Sequence, residues 1–371
     1  MLLVGALTLL LPATARALVL PPPPSPYVIQ WRSRELVDES RRDAFNSSHP
    51  RRLMVSIFSP VPALSCSRVC HVPYMPPAIA SVEDAVLDAY LGATSWPKSL
   101  LASLEMELCC QTRESHTVTT QAFPTLFLGT GLNTTRLLYS ATAQHLASAG
   151  YQVIVMDHPY ETDVVQFPDG GLVFGGRVGR NPNDTAAIVH GLDVRTRDLS
   201  FVLDALRVPA AVYIGQSFGG AAAAAAATSS SERRILGGVN LDGQLWGPVV
   251  RAGVCRPFLT IGAEGHTPAS IPSWGAFFGA MDEKHPGVSA KLLNVQGTVH
   301  GSFLDFSLIG DVAGLRARDG LEAFIGKATG LRVMEILKAY SAAFADYILR
   351  GADSVLLRGP SPSFPEVSFI R

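Results

Sequence analysis

From residue 125 onward, short apolar runs alternate with stretches whose apolar residues recur at helical spacing. The runs at 125–128, 151–156, 211–214, Ile235–Leu241, 258–261 and Ala290–Val295 are predicted strands. Stretches 137–149 and 192–206, and one beginning near Phe218, are predicted helices, with Gly150 where the first should stop. The strands are apolar without clear alternation, which predicts a mostly parallel sheet covered by helices on both faces. Near the end, Val333, Ile336, Leu337, Tyr340, Phe344 and Ile348 share one helical face, expected to pack onto the sheet. Alanines 221–227 belong to the helix after the 211–214 strand, where small side chains permit close helix–sheet approach. Upstream, 51–59 reads as a strand closed by Pro60 and Pro62, while 81–90 and 99–108 have helical spacing. Phe167-Pro168-Asp169-Gly170-Gly171 breaks the rhythm as a hairpin-like excursion, in a region where α/β folds carry ligand loops.

The N-terminus changes the picture. An apolar run at 2–11, then Pro12 and the small-residue sites Ala13-Thr14-Ala15 and Ala15-Arg16-Ala17, fits a secretory signal peptide over 1–17. A membrane span needs about 20 apolar residues, and this run is shorter. PPPPSP at 21–26 reads as a stiff spacer, so 18–50 is expected to be a Pro-rich linker and N-terminal extension. An α/β domain over 51–350 follows, including a Cys-bounded helical segment at 60–120, and 351–371 is left as a C-terminal tail. Hydrophobic residues make up 47% of the 371 and charged residues 16%, which excludes a disordered chain. Lys+Arg 30 against Asp+Glu 31 leaves a net charge of -1 with no basic run, so nucleic acid is not an expected partner.

Five cysteines are present: Cys66, Cys70, Cys109, Cys110 and Cys255. Cys-x3-Cys-His followed by Cys-Cys offers zinc ligands, but an exported chain favours disulfides. The Cys66/Cys70 cluster should therefore pair with Cys109/Cys110, in a connectivity the spacing leaves open. Cys255 remains, expected as a buried thiol. Asn46, Asn133 and Asn183 each begin a glycosylation sequon.

The chemistry centres on Gly215-Gln216-Ser217-Phe218-Gly219-Gly220. This is G-x-S-x-G directly after an apolar strand and before a helix, the setting of a nucleophile elbow. A serine hydroxyl needs a histidine to take its proton, and the histidine needs an orienting carboxylate. In the α/β-hydrolase fold these follow in the order Ser, Asp/Glu, His. His300 follows the last predicted strand, in a loop at the sheet's carboxyl edge, and is the expected base. His285 sits in a polar turn, and His266 is less suitable. Asp242 and Glu264 each end a strand and compete as the acid, with a modest preference for Asp242. Asp157 precedes the serine and breaks the order. The oxyanion hole should combine the Phe218 N–H with one from the loop Gly129-Thr130-Gly131-Leu132. Serine acyl transfer requires neither metal nor organic cofactor, so none is expected.

LFLGTGLNTTRLLY at 126–139, GQSFGG at 215–220, Leu241-Asp242-Gly243 and GTVHGSFLDF at 297–306 together resemble the platelet-activating-factor acetylhydrolase family, in particular its secreted fungal members. The likeness spans roughly 120–350. It implies an α/β-hydrolase fold with an extra N-terminal segment, the one expected above to contain the disulfides, Asp242 over Glu264 as the acid, and Leu132 and Phe218 as oxyanion donors. The expected activity is that of a secreted serine esterase on short-chain phospholipid esters, through Ser217, Asp242 and His300. A general carboxylester or polyester hydrolase, cutinase-like, is the alternative, and a non-catalytic lipid-binding protein a third class. The family often has His-Gly where this chain has Thr130-Gly131, and His where it has Gln216. The expected partner is a small-molecule or lipid ester, with transient contact to a lipid surface; oligomeric state is not legible. Val164, Val165, Phe167, Leu172 and Phe174 are candidates for an apolar rim, whereas Trp274, Phe277 and Phe278 are expected to pack inward.

Overall fold

A computed structural model describes residues 17–92, 95–112, 123–179, 184–228 and 232–371. Residues 1–16 of the expected signal peptide and the sequon residue Asn183 lie outside them. The strands, in chain order, begin with β1 (Leu18–Leu20), β2 (Tyr27–Arg42), β3 (Pro50–Pro62), β4 (Cys66–Pro73) and β5 (Leu104–Thr112). Next come β6 (Thr125–Gly129), β7 (Gln152–Met156) and the short β8 (Val164–Gln166) and β9 (Leu172–Phe174). The series ends with β10 (Ala211–Gln216), β11 (Ile235–Leu241), β12 (Phe258–Ala263), β13 (Ala290–Val295) and β14 (Val367–Phe369). The helices are α1 (Pro77–Leu91), α2 (Ser140–Ala147), α3 (Thr185–Ala205), α4 (Phe218–Thr228), α5 (Val249–Ala252), α6 (Pro272–Lys284), α7 (Phe306–Val312), α8 (Leu321–Ile325) and α9 (Gly330–Arg350).

Nine strands form the main sheet in the order β14-β13-β12-β11-β10-β6-β7-β3-β2. Its middle, from β13 to β7, is parallel throughout, as the apolar runs predict. The two flanks are antiparallel. Alternate residues of each central strand feed separate cores. Leu126, Leu128, Val153, Val155, Val212 and Ile214 pack on the face that α9 covers. Phe127, Ile154, Met156 and Tyr213 pack on the face covered by α3, α4 and α6. Both faces are dry, which is why the strands show no polar alternation. The α/β-hydrolase architecture is as expected.

Several local expectations are corrected. Residues 27–42 are not linker but a 16-residue edge strand, paired with β3 from Tyr27↔Pro62 to Asp38↔Arg51. Its outer positions are rich in charge, as exposed edges are, and this hides the strand pattern. The prolines before it dock rather than space: Pro23 is buried, and Ser25 Oγ donates to the Ser148 carbonyl at 2.8 Å. At the other edge the tail supplies β14. Residues 99–108 are not a helix; a short 3-10 turn at Leu101–Ser103 leads into β5. There Leu104, Met106 and Leu108 are buried and alternate with Glu105 and Glu107, a period of two. Strand β5 joins β1 and β4 in a three-stranded sheet. Cys66–Cys109 and Cys70–Cys110 bridge β4 to β5. Cys255 is free and exposed, not buried. The rim candidates divide: Val164, Val165 and Phe167 are buried, whereas Leu172 and Phe174 are exposed. Trp274, Phe277 and Phe278 pack inward on α6 as anticipated.

Candidate active site

Ser217 sits at the turn from β10 into α4 with a φ of 54°, a left-handed conformation costly for a residue with a Cβ. The flanking glycines make that turn feasible. A Cβ on Gly215 would lie 2.0 Å from the Gly219 carbonyl oxygen, and one on Gly219 would lie 2.3 Å from that of Gly129. The Ser217 N–H donates to the Leu241 carbonyl at 2.9 Å, which fastens the turn to the end of β11. One residue on, Asp242 is also left-handed, with φ 57°.

His300 Nε2 lies 3.0 Å from Ser217 Oγ, and His300 Nδ1 lies 2.7 Å from Asp242 Oδ2. A carboxylate only accepts, so Nδ1 carries the proton and Nε2 is free to accept from the hydroxyl. Asp242 is fully buried; burial alone would push its carboxyl up. Bonds from His266, His300 and the Ala263 N–H outweigh that and hold it below the usual carboxylate range. The Ala263 N–H donates to Oδ1 at 2.8 Å. A hydroxyl, an imidazole and an ionised carboxylate in this line can draw a proton from Oγ to Nε2.

Of the competing candidates, Glu264 does not reach His300. It is exposed, and its Oε2 accepts from the Gly297 N–H at 2.8 Å. Asp157 is consumed by Arg136, with which it forms a buried ion pair. His285 Nε2 lies 3.0 Å from the Ala252 carbonyl, in the α5–α6 corner. His266, set aside on sequence grounds, reaches the site by a different route. Its Nδ1 donates to Asp242 Oδ1 at 2.7 Å, and that bond raises the pKa of His266. One carboxylate thus serves two imidazoles.

The loop Gly129–Leu132, expected to supply an oxyanion donor, is organised by residues that the sequence pattern does not single out. Arg195, fully buried on α3, donates to the carbonyls of Thr130 (2.5 Å) and Gly131 (2.9 Å) and pairs with Glu161. In a planar trans peptide the N–H points opposite to the C=O, so these contacts turn the Leu132 N–H away from Arg195. The Gly131 N–H donates to Tyr139 Oη at 2.7 Å. Tyr139 Oη in turn donates to Gln216 Oε1 at 2.9 Å, and Gln216 Nε2 lies 3.4 Å from the His300 carbonyl. Gln216 therefore ties the loop to the base, in the place where the resembled family often has histidine. The Arg195 guanidinium also lies 4.6 Å over the Phe218 ring. Phe218 opens α4, so its N–H has no acceptor within that helix.

Ser217 and His300 open onto a cavity of about 430 Å³ whose apolar wall includes Leu132, Ile188, Phe218, Trp246, Ile271 and Pro272. Asn133 follows Leu132 and lines a neighbouring cavity that Ser217 also borders. Among the described residues no cluster of His, Cys, Asp and Glu is arranged to hold a metal.

The sequence profile of the family described as platelet-activating factor acetylhydrolase, isoform II, matches residues 83–166. A protein of Arthroderma benhamiae named probable 1-alkyl-2-acetylglycerophosphocholine esterase is 38% identical over 369 residues, covering 95% of this chain and 94% of that one. A solved structure of a ferulic acid esterase from Streptomyces cinnamoneus superposes with a TM-score of 0.76 at 27% identity, over 96% of this chain and 100% of the other.

Proposed function

The chain belongs to the platelet-activating factor acetylhydrolase, isoform II, family and is a carboxylic ester hydrolase; from that premise we propose that it is a secreted enzyme removing the short acyl group, acetyl above all, from position 2 of platelet-activating-factor-like phospholipids. In this reading Ser217 Oγ attacks the ester carbonyl while its proton passes to His300 Nε2. Asp242 stabilises the resulting imidazolium. The N–H groups of Leu132 and Phe218 receive the developing oxyanion. Collapse of the tetrahedral intermediate expels the alcohol with the proton from His300, and water then releases the acyl group by the same route.

The observation that carries the proposal is the 3.0 Å contact of His300 Nε2 with Ser217 Oγ, continued by the 2.7 Å contact with buried Asp242. Export is in keeping with the two disulfides, which persist in oxidising compartments. The exposed Leu172 and Phe174 offer an apolar contact to a lipid surface, and with a net charge of -1 such contact is not electrostatic.

A second reading, a general carboxylester hydrolase, draws on the 27% identity to a ferulic acid esterase and on a 430 Å³ cavity larger than an acetyl group needs. Purified protein assayed on para-nitrophenyl esters of increasing length, beside a 2-acetyl phospholipid, separates the two. The proposal expects kcat/KM to fall steeply beyond short acyl chains. A flat or rising series, with no hydrolysis of the phospholipid, would establish the second reading instead.

A further inference from the structure

Arg195 spends its guanidinium on four polar contacts from a fully buried position on α3. Two go to the Glu161 carboxylate, Nε donating to Oε2 at 2.9 Å and Nη2 to Oε1. The other two go to the carbonyls of Thr130 and Gly131. One turn earlier on α3 stands Gly191, where an added Cβ would lie 3.4 Å from the Phe218 ring. A glycine there lets α3 close on α4, and the guanidinium comes to rest over that ring. One side chain therefore touches both the peptide that carries the Leu132 N–H and the residue that follows the nucleophile.

The two peptide planes of the loop are gripped differently. In the first, the Thr130 carbonyl accepts from Arg195 and the Gly131 N–H donates to Tyr139 Oη, so both ends are taken. In the second, the Gly131 carbonyl accepts from Arg195, and the Leu132 N–H donates to no backbone carbonyl among the described residues. The same holds for the Phe218 N–H. Backbone N–H groups without a protein partner are uncommon and are normally taken by water or a ligand. Gly131 has no Cβ to restrain it, so the Gly131–Leu132 peptide can flip at little steric cost. A flip would forfeit the Arg195 bond and aim a carbonyl, not an N–H, at the developing negative charge. The charge of Arg195 is balanced by Glu161, which leaves geometry as its leverage on the reaction. We propose that Arg195, braced by Glu161, is a positioning residue that locks the Gly131–Leu132 peptide with its N–H toward the oxyanion, and so strengthens binding of the transition state without changing binding of the ester. The proposal rests on the reading of Leu132 and Phe218 as oxyanion donors.

Two variants test it. In Arg195→Lys the ammonium keeps the charge but lacks the planar fork that spans two carbonyls and a carboxylate. In Arg195→Met combined with Glu161→Met the pair is exchanged for apolar side chains, which avoids stranding a buried charge. Each should lower kcat on para-nitrophenyl acetate by about 10²-fold, the lower end of what loss of one oxyanion donor costs. KM should stay within about threefold of wild type. Affinity for a short alkylboronic acid, which adds to Ser217 as a tetrahedral anion, should fall by about the same factor as kcat/KM. The acid limb of the pH–rate profile should not move, because His300 and Asp242 are untouched. A merely structural loss would lower the melting temperature and the fraction of active sites, and leave the boronic acid affinity of the surviving sites unchanged. Wild-type kcat in either folded variant would overturn the proposal. So would a rise in KM with kcat intact, a boronic acid affinity that holds while kcat falls, or failure of both variants to fold. In the wild type, the amide proton signals of Leu132 and Phe218 should shift when the boronic acid binds; signals that stay in place would instead overturn the donor assignment beneath the proposal.

Discussion

Asp242 and Glu83 are both buried carboxyl groups that line cavities opening on Ser217, yet they are pushed in opposite directions. Asp242 accepts from two imidazoles and a backbone N–H, and remains ionised in spite of burial. Glu83 has an oxygen with no partner and three acidic neighbours, and burial prevails. Depth is therefore not what decides whether a carboxyl beside a reacting group carries charge. The count of donors facing it decides. A fully satisfied acid keeps its charge in spite of burial; one with an unpaired oxygen among other acids gives it up.

The strongest challenge to this contrast removes what the two acids have in common. Ser217→Ala should abolish hydrolysis of every ester, with a loss on the order of a million-fold in kcat and an unchanged melting temperature. Activity within tenfold of wild type would show that neither acid borders a nucleophile. Next in size, Asp242→Asn should cost about 10⁴ in kcat, because the amide no longer fixes the working imidazole tautomer. Glu264→Gln, at an exposed loop contact, should stay within about tenfold; the reverse ranking would reassign the acid. His266→Gln removes one charge-supported bond from Asp242, worth about 1.5–3 kcal/mol in general. Part of that reaches the transition state, so we expect kcat to drop by about tenfold or less with KM unchanged. A rise in KM with kcat intact would make His266 a wall of the cavity instead.

The smallest effect is the sharpest on the comparison, since it reads the sign of each shift. Glu83 has a folded-state pKa above its ordinary 4.5. Its contribution is fully present below that value and is lost as pH rises toward the folded pKa, because the unfolded chain ionises first. Glu83→Gln should therefore gain a few degrees in melting temperature relative to wild type between about pH 5 and pH 8. Asp242 behaves in the opposite sense: its contribution is present above the ordinary 3.8 and is lost as pH falls through the lower folded value. A wild-type-to-variant difference that does not change with pH would contradict the account given of Glu83.

The catalytic half of the molecule was legible because its signals are local. The elbow at 215–219 declares its glycines, the strand before it and the helix after it are strongly apolar, and His300 follows a clear strand. The choice between Asp242 and Glu264 was not settled by spacing, since both end strands; the family resemblance tipped it. His266 was missed because its partner lies 24 residues away and meets it only after β11 and β12 are paired. Arg195 is one charge among several on its helix, and nothing local shows that its targets are the carbonyls of Thr130 and Gly131. The N-terminal segment failed for another reason. Leu100, Leu101, Leu104 and Leu108 fit a helical face, while Leu104, Met106 and Leu108 fit a strand, and only pairing with β1 and β4 decides between them.

The two disulfides between β4 and β5 close residues 66–110 into a covalent ring, and α1 is part of the enclosed segment. Glu83 and Tyr90 ride on α1, whereas Ser217, Asp242 and His300 stand on the main sheet outside it. Reduction would open the segment that carries α1, while Ser217 and His300 stay at the ends of the parallel strands of the main sheet.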